Sequence, residues 1–234
     1  MGKIFVTSDT HFGHDREFVW GPRGFTNVTD HDEKVIENWN KVVSPEDTVY
    51  HLGDVMLGDN AYGIACLKRL NGNIKIIPGN HDTSSRLKLY RELENVEVLG
   101  LAEMLKYKKY NFYLSHHPTM TSNLEKAPYL RMHLINLFGH THQQNKFYMS
   151  MPYMFHVGMD SNNCTPVLLD NAIEMMKAET QICIEFLGLT EEKTSEEPAV
   201  PTCKGCFLDH LCPDVTENIR CNKYDQDKAE VKGV

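Results

Sequence analysis

Asn73–Asp82 reads NIKIIPGNHD: a short β-branched run, a proline, then a turn built from Gly79, Asn80, His81 and Asp82. The apolar run predicts a strand over 73–77, and the residues after it carry metal-binding or acid–base side chains. The same grammar recurs on both sides. Lys3–Ser8 (KIFVTS) runs into Asp9-Thr10-His11, and Thr48–Leu52 (TVYHL) runs into Gly53-Asp54. Asn111–Ser115 (NFYLS) runs into His116-His117-Pro118, and Leu134–Phe138 (LINLF) runs into Gly139-His140-Thr141-His142. A sixth predicted strand, Tyr153–Val157, follows. In open α/β sheets, ligands gather outside the carboxyl ends of the strands. Five such ends would collect two aspartates, an asparagine and several histidines on one rim. The i, i+2 spacing of Asp9/His11 and of His140/His142 lets both side chains of a pair point one way.

Helical spacing fills the intervals. Asp32–Val43 places Val35, Ile36, Trp39 and Val42 on one face, and Ala61–Leu70 and Ser84–Leu93 follow. Asn171–Leu187, beginning near an Asp170 cap and stopping at Gly188, has the clearest helix signals. The alternation predicts an α/β domain with at least partly parallel sheets.

The five motifs, in this order, resemble the signature of the calcineurin-like metallophosphoesterase family: Asp-x-His, Gly-Asp, Gly-Asn-His-Asp/Glu, a lone His, and Gly-His-x-His. The resemblance spans roughly residues 3–170. It implies a four-layer αββα sandwich of two mixed sheets with a two-metal site between the sheet ends. Carried over by position, it implies Asp9, His11 and His142 on one metal, Asn80, His116 and His140 on the other, and Asp54 bridging them. In the fourth motif His116 is chosen over His117, because the family ligand stands two residues before the proline. The resemblance also implies attack by a metal-bridging hydroxide, with His81 as general acid. Two divalent cations set against Asp9, Asp54 and that hydroxide leave the site at about +1, a trap for a phosphate anion. A mixed nitrogen and carboxylate shell suits Mn, Fe, Co, Ni or Zn, and the resemblance favours Mn.

Departures from the family pattern narrow the substrate. Gly53-Asp54-Val55-Met56-Leu57-Gly58 lacks the arginine that protein serine/threonine phosphatases carry shortly after the bridging aspartate. A small phosphodiester or nucleotide is therefore expected, with a phosphomonoesterase or a non-catalytic scaffold as alternatives. The loop Phe12–His31 carries cationic side chains beside the first motif, and His14 and Arg23 are taken as substrate contacts. Lys106-Tyr107-Lys108-Lys109-Tyr110 reads as an edge strand or hairpin, and His51 and His156 as core groups.

Composition supports one enzyme-sized domain with an appendage. The chain has 234 residues, of which 41% are hydrophobic, enough for a real core. The net charge of −8 argues against bulk nucleic-acid binding. No apolar run reaches the roughly 20 residues needed to span a bilayer, so no membrane role is expected and a cytoplasmic setting is. The domain is placed at 1–187 and a Glu-, Thr- and Pro-rich linker at 188–202. A tail at 203–234 carries Cys203, Cys206, Cys212 and Cys221. From Gly188 onward ten acidic and six basic residues give −4, half the total charge. Four clustered thiols in a reduced setting point to a structural zinc site, or to an iron–sulfur cluster. Such a tail could also hold a protein partner.

Overall fold

The computed structural model describes residues 2–121 and 130–186. Residues 187–234 lie outside that range, and with them the linker and the four tail cysteines. Two mixed sheets, with helices packed on them, form the described part, as the resemblance implies.

The first sheet has the order β4-β3-β2-β1-β9. Its strands are β1 (Ile4–Thr7), β2 (Thr48–His51), β3 (Asn73–Ile76), β4 (Val96–Val98) and β9 (Val167–Leu168). The first four are parallel, and β9 runs antiparallel to β1. The second sheet has the order β5-β6-β7-β8. Its strands are β5 (Ala102–Tyr107), β6 (Tyr110–Ser115), β7 (Leu134–Phe138) and β8 (Met154–His156). β5 and β6 form an antiparallel hairpin turning at Lys108-Lys109, which is the edge expected of that basic stretch. β6, β7 and β8 are parallel. Each sheet thus aims three parallel strand ends at the same region.

Alternating burial makes β1 a hinge between two cores. Phe5 faces one apolar cluster and Val6 the other. Phe5, Val49, Ile74 and Ile76 pack under α2 (Val28–Val42), α3 (Asn60–Leu67) and α4 (Ser84–Tyr90). Val6, Leu52 and Ile77 meet Phe112, Leu114, Ile135 and Leu137 of the second sheet. α5 (Leu169–Phe186) closes that second core with Ala172, Ile173 and Met176.

Helix α2 begins earlier than its apolar stripe predicts. The Asn27 side chain accepts a hydrogen bond from Asp30 N at 2.9 Å and starts the helix there. The extra turn brings His31 and Asp32 onto the buried face with Val35, Ile36 and Trp39. A four-residue helix, α1 (Glu17–Trp20), precedes it. Asp59 caps α3 in the same way, accepting from Tyr62 N at 2.7 Å.

Trp39 anchors the first core. Its ring is fully buried, and its indole N–H donates to Asn71 O at 2.9 Å. Trp39→Ala would leave an aromatic-sized cavity and an unpaired carbonyl. We expect a loss of about 3–5 kcal/mol of unfolding free energy. Urea denaturation followed by circular dichroism measures it, and a loss below about 1 kcal/mol would mean that the site collapses freely.

Candidate metal centre

Six strand ends meet at one seam. β1, β2 and β3 deliver Asp9 and His11, Asp54, and Asn80 with His81. β6 and β7 deliver His116, His140 and His142, and the segment after β8 delivers Asp160. The connections are short and mutually bonded. Asp9 N donates to Gly53 O at 3.0 Å, His11 N to Asp54 O at 3.1 Å, and Gly139 N to His116 O at 2.9 Å.

The backbone is forced at this seam. Asp9, His11, Asp54, His140 and His142 all adopt left-handed φ values, between 48° and 67°. Residues with a Cβ adopt that region at a cost, and it concentrates at functional sites. Two glycines are needed for a different reason. A Cβ on Gly79 would strike Asp54 Oδ1, and one on Gly139 would strike Ser8 Oγ and Asp9 Oδ2.

Eight residues singled out from the sequence, the seven expected ligands and His81, come together here. His11 Nε2 lies 3.2 Å from His142 Nε2 and 3.9 Å from Asp9 Oδ1. His116 Nε2 lies 2.9 Å from Asn80 Oδ1 and 3.4 Å from Asp54 Oδ2. Asp54 Oδ2 is also 3.7 Å from His11 Nε2 and 4.0 Å from His81 Nε2. Possible ligand atoms of Asp9, His11 and His142 lie within 4.8 Å of one another, as do those of Asp9, Asp54 and His116. The His140 ring packs 5.0 Å from that of His116. His117 is exposed, with its ring 4.3 Å from His140, whereas His116 is buried against Asp54.

The donor chemistry fits cations. His116 Nδ1 donates to Leu52 O at 2.7 Å, so its Nε2 carries the lone pair in the neutral ring. That lone pair faces Asn80 Oδ1 and Asp54 Oδ2, so three acceptors converge. His142 Nδ1 donates to Asp160 Oδ2 at 2.9 Å, which turns its Nε2 lone pair on His11 Nε2. Orienting a ligand histidine through its other nitrogen is the usual arrangement around protein metals. Acceptors so arranged repel unless a proton or a metal ion lies among them.

The ionisation pattern is consistent with this. Burial pushes the Asp9 carboxyl up, against the downward pull of His142, His116 and Ser8. Burial also raises Asp54, but hydrogen bonds from His116 and the His81 amide outweigh it and hold the carboxyl well below its ordinary range. His11 is driven well below its usual value, chiefly by burial. Burial pushes His116 and His142 down, yet both end above the ordinary imidazole value. The hydrogen bond to Asp54 prevails at His116, and the one to Asp160 at His142.

Supporting groups sit behind these. Asp82 braces the turn behind Asp54. Its carboxylate accepts from Asp54 N at 2.8 Å, Gly79 N at 2.9 Å, Val55 N at 3.2 Å and the Tyr90 hydroxyl at 2.9 Å. His51 is buried beneath the site, 2.9 Å from the Thr10 hydroxyl, and burial pushes its pKa down to about 3. His156 is likewise buried, and bonds Ser161 Oγ at 2.8 Å.

The expected substrate contacts divide. His14 lies at the site, its ring 5.3 Å from His11 and 6.4 Å from His81. Arg23 is instead buried among protein partners, at odds with the substrate contact expected from the sequence. Its side chain is 1% exposed, and its donors are spent on Asp160, His31 and the Asp9 carbonyl. Sequence reading missed Asp160, although it singled out both of its partners, Arg23 and His142. The available signal was that Asp160, like the candidate ligand motifs, follows a strand end.

Comparison with known proteins agrees with this geometry. The calcineurin-like phosphoesterase superfamily domain matches residues 3–158. The chain is 31% identical over 183 residues to the uncharacterized protein MJ1445 of Methanocaldococcus jannaschii, covering 76% of this chain and 93% of that one. It is 30% identical over 186 residues to the Gene 66 protein of Mycobacterium phage D29, covering 69% of this chain and 89% of that one. The crystal structure of AQ665, a protein of unknown function from Aquifex aeolicus, has a TM-score of 0.56 at 22% identity. It covers 75% of this chain and 100% of that one, and shares the fold. Among the described residues no helix is long and apolar enough to cross a membrane.

The raised imidazoles set a pH dependence. His116 and His142 keep their protons to higher pH than an ordinary histidine, and a cation bound by them would have to displace those protons. Metal affinity should therefore fall as pH drops, by about tenfold per unit for each proton displaced. Calorimetric titration of metal-stripped protein with Mn²⁺ at pH 8 and pH 6 checks this, and equal affinities would refute it.

Proposed function

The chain belongs to the calcineurin-like phosphoesterase superfamily and is a metal-dependent phosphoester hydrolase, and from that premise we propose that it cleaves small phosphodiesters, nucleotides among them. The observation that carries the reading is the position of Asp54. Its Oδ2 lies 3.4 Å from His116 Nε2, 3.7 Å from His11 Nε2 and 4.0 Å from His81 Nε2. One carboxylate is thus shared by both proposed ligand sets and by the proposed acid.

In this reading Asp9, His11 and His142 would hold one divalent cation, and Asn80, His116 and His140 a second. Asp54 would be available to both ligand sets. The nitrogen-rich shell favours Mn²⁺, with Fe, Co, Ni or Zn as substitutes. Such a pair supplies Lewis acidity, lowering the pKa of a water and neutralising phosphoryl charge.

The chain's own residues do the rest. His81 is the general acid, giving the Nε2 proton to the departing oxygen. Its amide donates to Asp54 Oδ1 at 2.9 Å, and its carbonyl accepts from Arg86 Nη1 at 2.6 Å, so the residue is pinned at both ends. The ring itself is 40% exposed at the rim, within reach of a bound substrate. Burial, then the His81 charge, lowers the His14 pKa, so His14 approaches the substrate as a neutral hydrogen-bonding group.

Room for a second ester arm favours a diester. A cleft of about 490 Å³ is lined by Gly13, His14, Asp15, Arg16, Leu57 and Gly58. The exposed Phe18 ring stands edge-on to His14 at 5.4 Å, a surface against which an aryl or base group can pack. A monoester has no second arm to use this space.

Two measurements test the proposal. Mn-loaded protein should hydrolyse a bis-aryl phosphate with higher kcat/KM than the mono-aryl ester, and the opposite order would identify a monoesterase. His81→Ala should lower kcat about 10²–10⁴-fold while metal content is unchanged. An unaltered rate would remove His81 from the reaction.

A further inference from the structure

Arg23 lies in the Phe12–His31 loop, 14 residues from Asp9 and 137 from Asp160, yet its guanidinium joins both. Nε donates to Asp160 Oδ1 at 3.0 Å, and Nη2 donates to Asp160 Oδ2 at 2.8 Å and to Asp9 O at 2.9 Å. Nη1 donates to His31 Nε2 at 2.9 Å. A guanidinium can only donate, so His31 Nε2 accepts and the imidazole proton sits on Nδ1. That nitrogen donates to Asp32 Oδ1 at 2.8 Å, and Asp32 Oδ2 accepts from Gly13 N at 2.8 Å. At the other end, Asp160 Oδ2 accepts from His142 Nδ1 at 2.9 Å.

We infer that Arg23 is a positioning residue for one half of the metal centre: through Asp160 and the Asp9 carbonyl it orients His142 and Asp9, and it makes no direct hydrogen bond to Asn80, His116 or His140. This inference rests on the ligand sets of the proposed function. Three points carry it. The Arg23 and Asp160 side chains are 1% and 3% exposed, so the pair is desolvated and its geometry is fixed. The fork engages both Asp160 oxygens, which settles the carboxylate plane that His142 reads. The Asp9 carbonyl belongs to a left-handed residue at φ 59°, and the Arg23 bond holds that backbone in place. The relay meets the other half only through the Asp9 carboxylate, which accepts from the His140 backbone N–H at 3.0 Å; none of its hydrogen bonds ends on a side chain of Asn80, His116 or His140.

Selectivity separates positioning from general stability. A lysine at position 23 keeps the charge but has a single nitrogen, and cannot span Asp160, His31 and Asp9 together. The test is Mn²⁺ titration of metal-stripped full-length protein, read by calorimetry and by the electron paramagnetic resonance of coupled manganese pairs. Wild type should bind two Mn²⁺ and show the coupled signal. Arg23→Lys should keep one site at wild-type affinity, weaken the other 10–100-fold and lose the coupled signal at limiting metal. Asp160→Asn, nearly isosteric, should give the same one-site loss and serves if Arg23→Lys does not fold. Two unchanged sites in a folded variant, or equal weakening of both, overturn the role of Arg23. A wild-type chain that binds fewer than two Mn²⁺ overturns the two-metal reading and this inference with it.

Discussion

Asp9 and Asp54 are two carboxylates buried side by side where the strand ends of two sheets meet, and much of the site follows from that burial. An isolated buried carboxylate is costly, so it must be hydrogen-bonded, neutralised or paired with a cation. The fold meets part of the requirement from the backbone. His140 N donates to Asp9 at 3.0 and 3.2 Å, Ser8 Oγ donates at 2.5 Å, and His81 N donates to Asp54 at 2.9 Å. For Asp9 this is not enough, since burial still drives its carboxyl up. The imidazoles around it divide into some held above and some far below their ordinary range. Such a set is electrostatically unfinished. In the proposed function a divalent cation completes it by replacing the protons that His116 and His142 otherwise retain.

That need explains features which would be defects in an ordinary core. Five left-handed non-glycine residues cluster within one seam. Gly79 and Gly139 are fixed by contact with Asp54 and Asp9 rather than by their own conformation. The compensation lies in the flanking layers. Asp82 ties three amides and Tyr90 into one clamp behind Asp54. On the other side, Trp39 and the stripe of α2 pack the first core tightly beneath β1 and β2. Rigid scaffolding on both sides of the seam holds the unfavourable backbone in place.

Much of this was legible in the sequence, and the reason is local. Each candidate ligand stands within a few residues of a strand end, three of the five motifs opening on a glycine, so the family resemblance could be carried over on short motifs. What was not legible depends on distance in space. Arg23 looked like a phosphate contact because a cation in a loop beside a metal rim usually faces solvent. Its true partner lies 137 residues away, and no periodicity links the two. The start of α2 was placed too late because the apolar stripe begins at Val35, whereas the cap and first turn are polar. The short strands β4 and β9 escaped because three and two residues hold too little pattern to register.

The loop between β1 and α2 ties these observations together. One part of it, His14 to Arg16, lines the cleft beside His11 and His81. Another part, Arg23 with the start of α2 at His31 and Asp32, is buried against Asp160. The hydrogen bond from Gly13 N to Asp32 Oδ2 joins the parts, so the cleft wall and the His142 anchor share one buried relay. A substrate arm that pressed on the Gly13 turn would act on the relay that orients His142. A single carboxylate–imidazole–guanidinium chain therefore links the wall of the cleft to His142. The fold needs no moving domain to do this, only an insertion whose two parts are fixed to opposite sides of the same site.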